Sequence, residues 1–173
     1  MPQSNDSTER CTAFQEILGS LLRSACEINE NDLFQLRQIS QKSWLDLSHA
    51  LAREFNVIVT AAELESCDDL GVMSSMVMRR LDQNSRGRTI IDTYLVVAHL
   101  AKDEYHPKID FHWCAEWESF LNVGNWFTRP EGLDSVELVL RLEQECGIPI
   151  SDADAASMKT VGQTVRYLWQ RNC

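Results

Sequence analysis

The chain has 173 residues, 44% of them hydrophobic, and carries 26 acidic against 16 basic side chains for a net charge of −10. That apolar share is enough for a core and too high for a disordered chain. The acidity argues against a nucleic-acid binder, which needs a basic face for phosphates, and no apolar run approaches the ~20 residues of a membrane span.

The opening decapeptide MPQSNDSTER is polar with no apolar run, so no secretory signal is read there and a cytoplasmic location is expected. The six Cys lie far apart with no CxxC pair, and reduced thiols are expected. His112 and Cys114 sit two apart with His99 and His106 upstream, a spacing too irregular for a usual zinc set, so no metal is expected. No His/Cys/Asp grouping has catalytic spacing and no Gly-rich phosphate loop is present, so no stand-alone enzyme is expected.

Taken in order, residues 1–10 read as a disordered lead. From Thr12 the positions Phe14, Ile17, Leu18, Leu21, Leu22 and Ala25 follow helical spacing up to Cys26. Residues 33–39 read as a loop with inward-pointing apolar side chains or a helical turn. A second helix is predicted over about 42–54, with Trp44, Leu47, Leu51 and Phe55 on one face and Ser43 as the N-cap. Asn56 ends it, VIVT crosses, and Thr60 with Glu63 opens a brief helix through a capping box. Asp68 or Asp69 caps the next helix, on which Met73, Val77 and Leu81 read as core.

The polar run 82–88 is the linker candidate. Thr89 then caps an apolar helix from Ile90 to Leu100 whose wide stripe calls for burial on more than one side. Residues 105–131 form a long irregular region, and its segment 111–127 holds Phe111, Trp113, Trp117, Phe120, Trp126 and Phe127. Rings at this density close a core; the sharper reading is a lid over a bound chain or a docking patch. Asp134, with Glu137 three residues on, reads as the N-cap of a helix ending before Gly147. Ile148, Pro149 and Ile150 cross, a short turn spans 152–157, and Thr160 with Gln163 opens a last helix.

The two halves share one plan. SHALAREFNVIVTAAELESCDDLGVMSSMVMRRL runs alongside VLRLEQECGIPISDADAASMKTVGQTVRYLWQ as helix, stop, apolar crossing, turn and closing helix. The expected fold is therefore all-α, two small helical bundles in tandem over 12–82 and 89–173.

Over 132–168 the second copy resembles the acyl carrier proteins. Gly132-Leu133-Asp134-Ser135-Val136 is similar to the family's attachment motif, VELVLRLEQECGIPISD to its second helix and following loop, and KTVGQTVRYL to its last helix. The resemblance implies a 4'-phosphopantetheine arm on the Ser135 hydroxyl beside Asp134, loaded from coenzyme A by a phosphopantetheinyl transferase. It also implies an acidic face, Glu137, Glu143, Glu145, Asp152 and Asp154, that docks on basic patches of partner enzymes of fatty-acid, polyketide or related synthesis. Two departures stand beside it. Ser135 touches Val136-Glu137-Leu138 directly where the family keeps about one more turn, and an ungapped alignment from downstream puts Gly132 at the serine position. The first copy, with Gln41, Lys42 and Ser43 in that region, lacks the motif and reads as unmodified. The alternative is a carrier-shaped interaction module with no arm.

Overall fold

The first helix, α1 (Ser4–Cys26), is built on Phe14, Ile17, Leu18, Leu21 and Leu22, all buried at i, i+3, i+4, i+7 and i+8 spacing. Burial of each such Ile or Leu contributes ~1.5–3 kcal/mol. In this computed structural model residues 4–26, 36, 39–84, 89–104, 110–121 and 133–172 are described, with side chains described except at 4–7, 25–26, 82–84, 104, 121, 133–135 and 172. α1 starts well before Thr12, so the expected disordered lead is corrected from Ser4 onward. Once the core fixes residues 13–22, each added residue costs little because helix propagation is far easier than nucleation. Arg10 adds an anchor, donating from Nη2 to Thr89 Oγ1 at 3.2 Å.

Leu36 is buried, and α2 (Gln41–Phe55) follows. Its N-cap is Ser40, whose hydroxyl accepts from Ser43 N–H; the expected cap, Ser43, lies inside the first turn. Trp44, Leu47, Ala50, Leu51 and Phe55 are buried, and Phe55 meets Phe14 edge to face at 5.8 Å. Asn56 turns the chain at φ 53°. α3 (Ala61–Glu65) carries the predicted reciprocal capping box between Thr60 and Glu63. Asp69 Oδ1 accepts from Val72 N–H at 2.8 Å at the head of α4 (Leu70–Asn84), whose Met73, Val77 and Leu81 are buried. The helix runs two residues past Asp82 into the candidate linker; residues 85–88 lie outside the described set.

By its contacts the chain divides into two compact units, Met1–Ile91 and Asp92–Cys173. In the first, α1 packs on α2 and α4, and α2 on α3. In the second, α5 (Ile90–Glu104) brings Tyr94, Val97 and Ala101 inward. In the described part of the aromatic region, 110–121, most of the rings close the core. Phe111, Trp113 and Phe120 are buried, Tyr94 lies 5.5 Å from Phe111 and 6.1 Å from Trp113, and Phe111 stacks on Phe120 at 6.0 Å. α6 (Trp117–Leu121) forms within it; Trp126 and Phe127 lie outside the described residues.

α7 (Leu133–Cys146) begins at Leu133, so Asp134 is its second residue rather than its cap. Gly147 takes the left-handed φ of 67° and donates to Glu143 O at 2.8 Å. Ile148 and Ile150 turn inward, α8 (Asp152–Ser157) is capped by Ser151, and α9 (Val161–Asn172) is opened by Thr160 and Gln163 bonding reciprocally. Val161, Val165 and Leu168 of α9 are buried. Segment 113–117 runs antiparallel across the α8–α9 junction: Trp117 N–H donates to Lys159 O, Val161 N–H to Ala115 O, and Gly162 N–H to Trp113 O. Every helix or strand assigned among the described residues is helical, and the fold is all-α.

The landmarks of the two units recur 91 positions apart. Asn56 and Gly147 end α2 and α7, Ala61 and Asp152 start α3 and α8, and Leu70 and Val161 start α4 and α9. The same offset relates two ion pairs, Glu63–Arg80 and Asp154–Arg171.

Candidate functional site

The space between α7 and α8 is an apolar groove of about 360 Å³. α7 contributes Val136, Leu138, Val139, Leu140, Leu142 and Glu143; α8 contributes Asp152, Ala155 and Ala156; Trp117, Ile150, Met158 and Thr164 complete the lining. Its polar atoms are largely engaged. Thr164 Oγ1 accepts from Trp117 Nε1 at 2.9 Å and donates to Thr160 O at 3.3 Å, and Glu143 Oε1 accepts from Ile150 N–H at 2.6 Å. With those hydrogen bonds made inside the protein, an occupant without polar atoms leaves none of them unpaired.

Comparison of equivalent positions gives the physical origin of the groove. Where unit 2 has Ala155 and Thr164, unit 1 has Leu64 and Met73, both fully buried. Leu64 fixes α3 to its unit, whereas α8 buries none of its own side chains. α8 is held from its flanks, by Ile150 and Met158, and by a polar clasp. In that clasp Asp154 accepts from Ser151 Oγ at 2.8 Å and Tyr167 Oη at 2.9 Å, with Arg171 at 3.8 Å. Arg171 also lies 3.7 Å over the Tyr167 ring. The Ser151 and Tyr167 hydrogen bonds and the Arg171 charge hold the Asp154 carboxyl below its usual range. Burial, and then the bond to Asp154, push the Tyr167 phenol up.

The acidic residues expected to form one docking face are divided between roles. Glu137 and Glu145 on α7 and Asp152 on α8 are exposed. Glu143 is half-buried and closes the turn after α7 through Ile150, and Asp154 belongs to the clasp. Asp134 and Ser135 fall in the first turn of α7 and their side chains lie outside the described set, as does Gly132 altogether. In helical register Ser135 precedes the buried Leu138 and Leu142 by three and seven positions, and its equivalent in unit 1 is the buried Trp44. Among the described residues no group of three His, Cys, Asp or Glu side chains is placed to hold a metal. His112 faces Asp110 at 4.0 Å and His99 faces Asp103 at 3.5 Å, while His106 is outside the described set.

Sequence reading missed the groove, because its signal is a pair of small residues at helical positions. It becomes visible only when Ala155 and Thr164 are set against Leu64 and Met73. The fold and this groove define an all-α protein of two units, with an open apolar cleft between α7 and α8 of the second. No family model matches the chain, and no solved structure matches it.

Proposed function

We propose that residues 92–173 work as an acyl carrier-like unit, with Ser135 as the attachment point and the α7–α8 groove as the resting place of the carried chain. The observation that carries this reading is the groove itself: apolar, about 360 Å³, and lined from Val136, the residue next to Ser135. A straight alkyl chain suits it, since burial of each CH₂ contributes ~0.8 kcal/mol. The 4'-phosphopantetheine arm would supply a terminal thiol for a thioester. The chain's own residues shelter the acyl group from water and present acidic side chains, Glu137, Glu145 and Asp152, to basic partner enzymes. The protein performs no chemistry itself in this reading, and unit 1 is a carrier-shaped fold without an arm.

Incubation of the full chain with coenzyme A and a broad-specificity phosphopantetheinyl transferase, followed by intact mass measurement, tests it. The expected result is one phosphopantetheine increment, absent in Ser135→Ala. An unchanged wild-type mass removes the arm and leaves the second reading, an interaction module built on the same scaffold. That reading is favoured by the register Ser135 shares with Leu138, Leu142 and Trp44. Under it, Ser135→Ala recovers the same partners as the wild type in a pulldown.

A further inference from the structure

α2 and α7 are equivalent helices, and their exposed faces carry opposite charge. On α2 the exposed residues are Gln41, Lys42, Leu45, His49, Ala52 and Arg53, none of them acidic, with the carboxylate of Asp46 half-buried beside them. On α7, from Val136 onward, they are Val136, Glu137, Leu140, Gln144 and Glu145, none of them basic, while the half-buried Arg141 beside them is paired with Asp103 at 3.5 Å. Both sets follow the three- and four-residue spacing of a single helix face. Both leave apolar side chains in water at the centre: Leu45 is 48% exposed, Val136 56% and Leu140 51%. A basic stripe runs against the composition of a chain with net charge −10. Arg53 pairs with Glu54 at 2.9 Å, yet its side chain remains 71% exposed and its guanidinium has donors to spare.

We propose that the two stripes are halves of one homotypic contact, in which α2 of one molecule docks on α7 of a second copy. Charge complementarity selects this occupant, and the spacing supports it. In a parallel pair with Leu45 opposite Leu140, Lys42 stands opposite Glu137, and His49 and Arg53 bracket Glu145 at 1.5 Å rise per residue. The apolar centres remove each other from water while the charges fix register. Each α2–α7 contact is heterologous; two of them related by a two-fold axis close a dimer, and a single one repeated builds a ring or an open assembly. One helix pair falls short of the ~1,600 Å² of a standard interface, so the association is weak and salt-sensitive. Val136 and Leu140 also line the groove, so docking covers part of its mouth. The contact includes neither Ser135 nor any modification of it, so it stands or falls apart from the carrier reading.

Sedimentation velocity of the unmodified full chain over a range of concentrations tests this at about 10 mM and about 1 M salt, where the Debye length falls from ~30 to ~3 Å. The expected result is self-association at low salt that weakens at least about tenfold at high salt. Lys42→Glu with Arg53→Glu makes both stripes acidic, and Glu137→Lys with Glu145→Lys makes both basic. Each variant alone, folded by circular dichroism, is expected to stay monomeric, and a one-to-one mixture is expected to associate. A wild-type monomer at every concentration in low salt overturns the proposal, as does association that survives in either variant alone or a mixture that stays monomeric.

Discussion

Gly162 donates its backbone N–H to the Trp113 carbonyl at 2.8 Å, and a Cβ on Gly162 would stand 2.4 Å from the Trp113 indole Nε1. The glycine is therefore a packing requirement, since the indole seats directly on the first turn of α9. Its equivalent in unit 1, Gly71, is different: a Cβ there meets only the ends of the Asp69 and Gln15 side chains, at 3.1 and 3.3 Å. Gly to Ala inside a helix ordinarily stabilises by ~0.5–1 kcal/mol. Overpacking of the kind Gly162→Ala forces costs ~1–3 kcal/mol, which reverses the sign. Urea denaturation is expected to show Gly162→Ala less stable than wild type by more than Gly71→Ala, whose Cβ presses only on the Asp69 cap and the Gln15 side chain. Equal midpoints for the two variants would show that Trp113 moves aside freely.

The groove exists because position 155 is small, so enlarging it should abolish binding without harming the fold. Ala155→Leu places in α8 the side chain that Leu64 supplies in α3. An alkyl-chain fluorescent probe is expected to lose affinity by at least about tenfold, while the urea midpoint stays level or rises as the new side chain buries apolar area. A probe that binds the variant unchanged sits somewhere else on the molecule.

Helix positions were readable from sequence wherever an apolar stripe and a cap coincided, as at Asn56, Thr60–Glu63, Gly147 and Thr160–Gln163. Those signals are local, each within one turn of chain. The misplacements have the same cause seen from the other side. Residues 4–11 carry no core stripe, so nothing local announced the first turns of α1, and Ser43 reads as the cap because the predicted helix start falls one residue late, inside the turn that Ser40 caps. The antiparallel run of 113–117 across the α8–α9 junction joins segments more than forty residues apart, through backbone groups that every residue carries. The groove is harder still, being a difference between two copies rather than a pattern in either.

Tyr167 holds α8 from outside. Its hydroxyl donates to Asp154 at 2.9 Å, and α8 has no buried side chain of its own to resist opening. Tyr167→Phe keeps the ring under Arg171 and removes only the donor. Hydrogen exchange is expected to accelerate at amides 152–157, with α3 in unit 1 unchanged because Leu64 and the Thr60–Glu63 box anchor it. Equal acceleration in both helices would mean that the substitution loosens the whole chain.

Glu63 links α3 to α4 and sets an acid limit on unit 1. Its carboxylate accepts from the Arg80 guanidinium and from the Thr60 N–H and hydroxyl, which lower its pKa from 4.5 to about 2. A folded-state pKa below the unfolded one means the unfolded chain binds the proton more readily. The pair's contribution is therefore fully present above about pH 4.5 and fades as pH falls toward about 2. Asp154 is displaced in the same direction, so unit 2 shares the trend. Glu63→Gln removes the titrating group. Across that window the urea midpoint read from α3 and α4 amides by NMR is expected to fall more shallowly in the variant than in the wild type. Parallel slopes would place the acid sensitivity of unit 1 on other carboxylates.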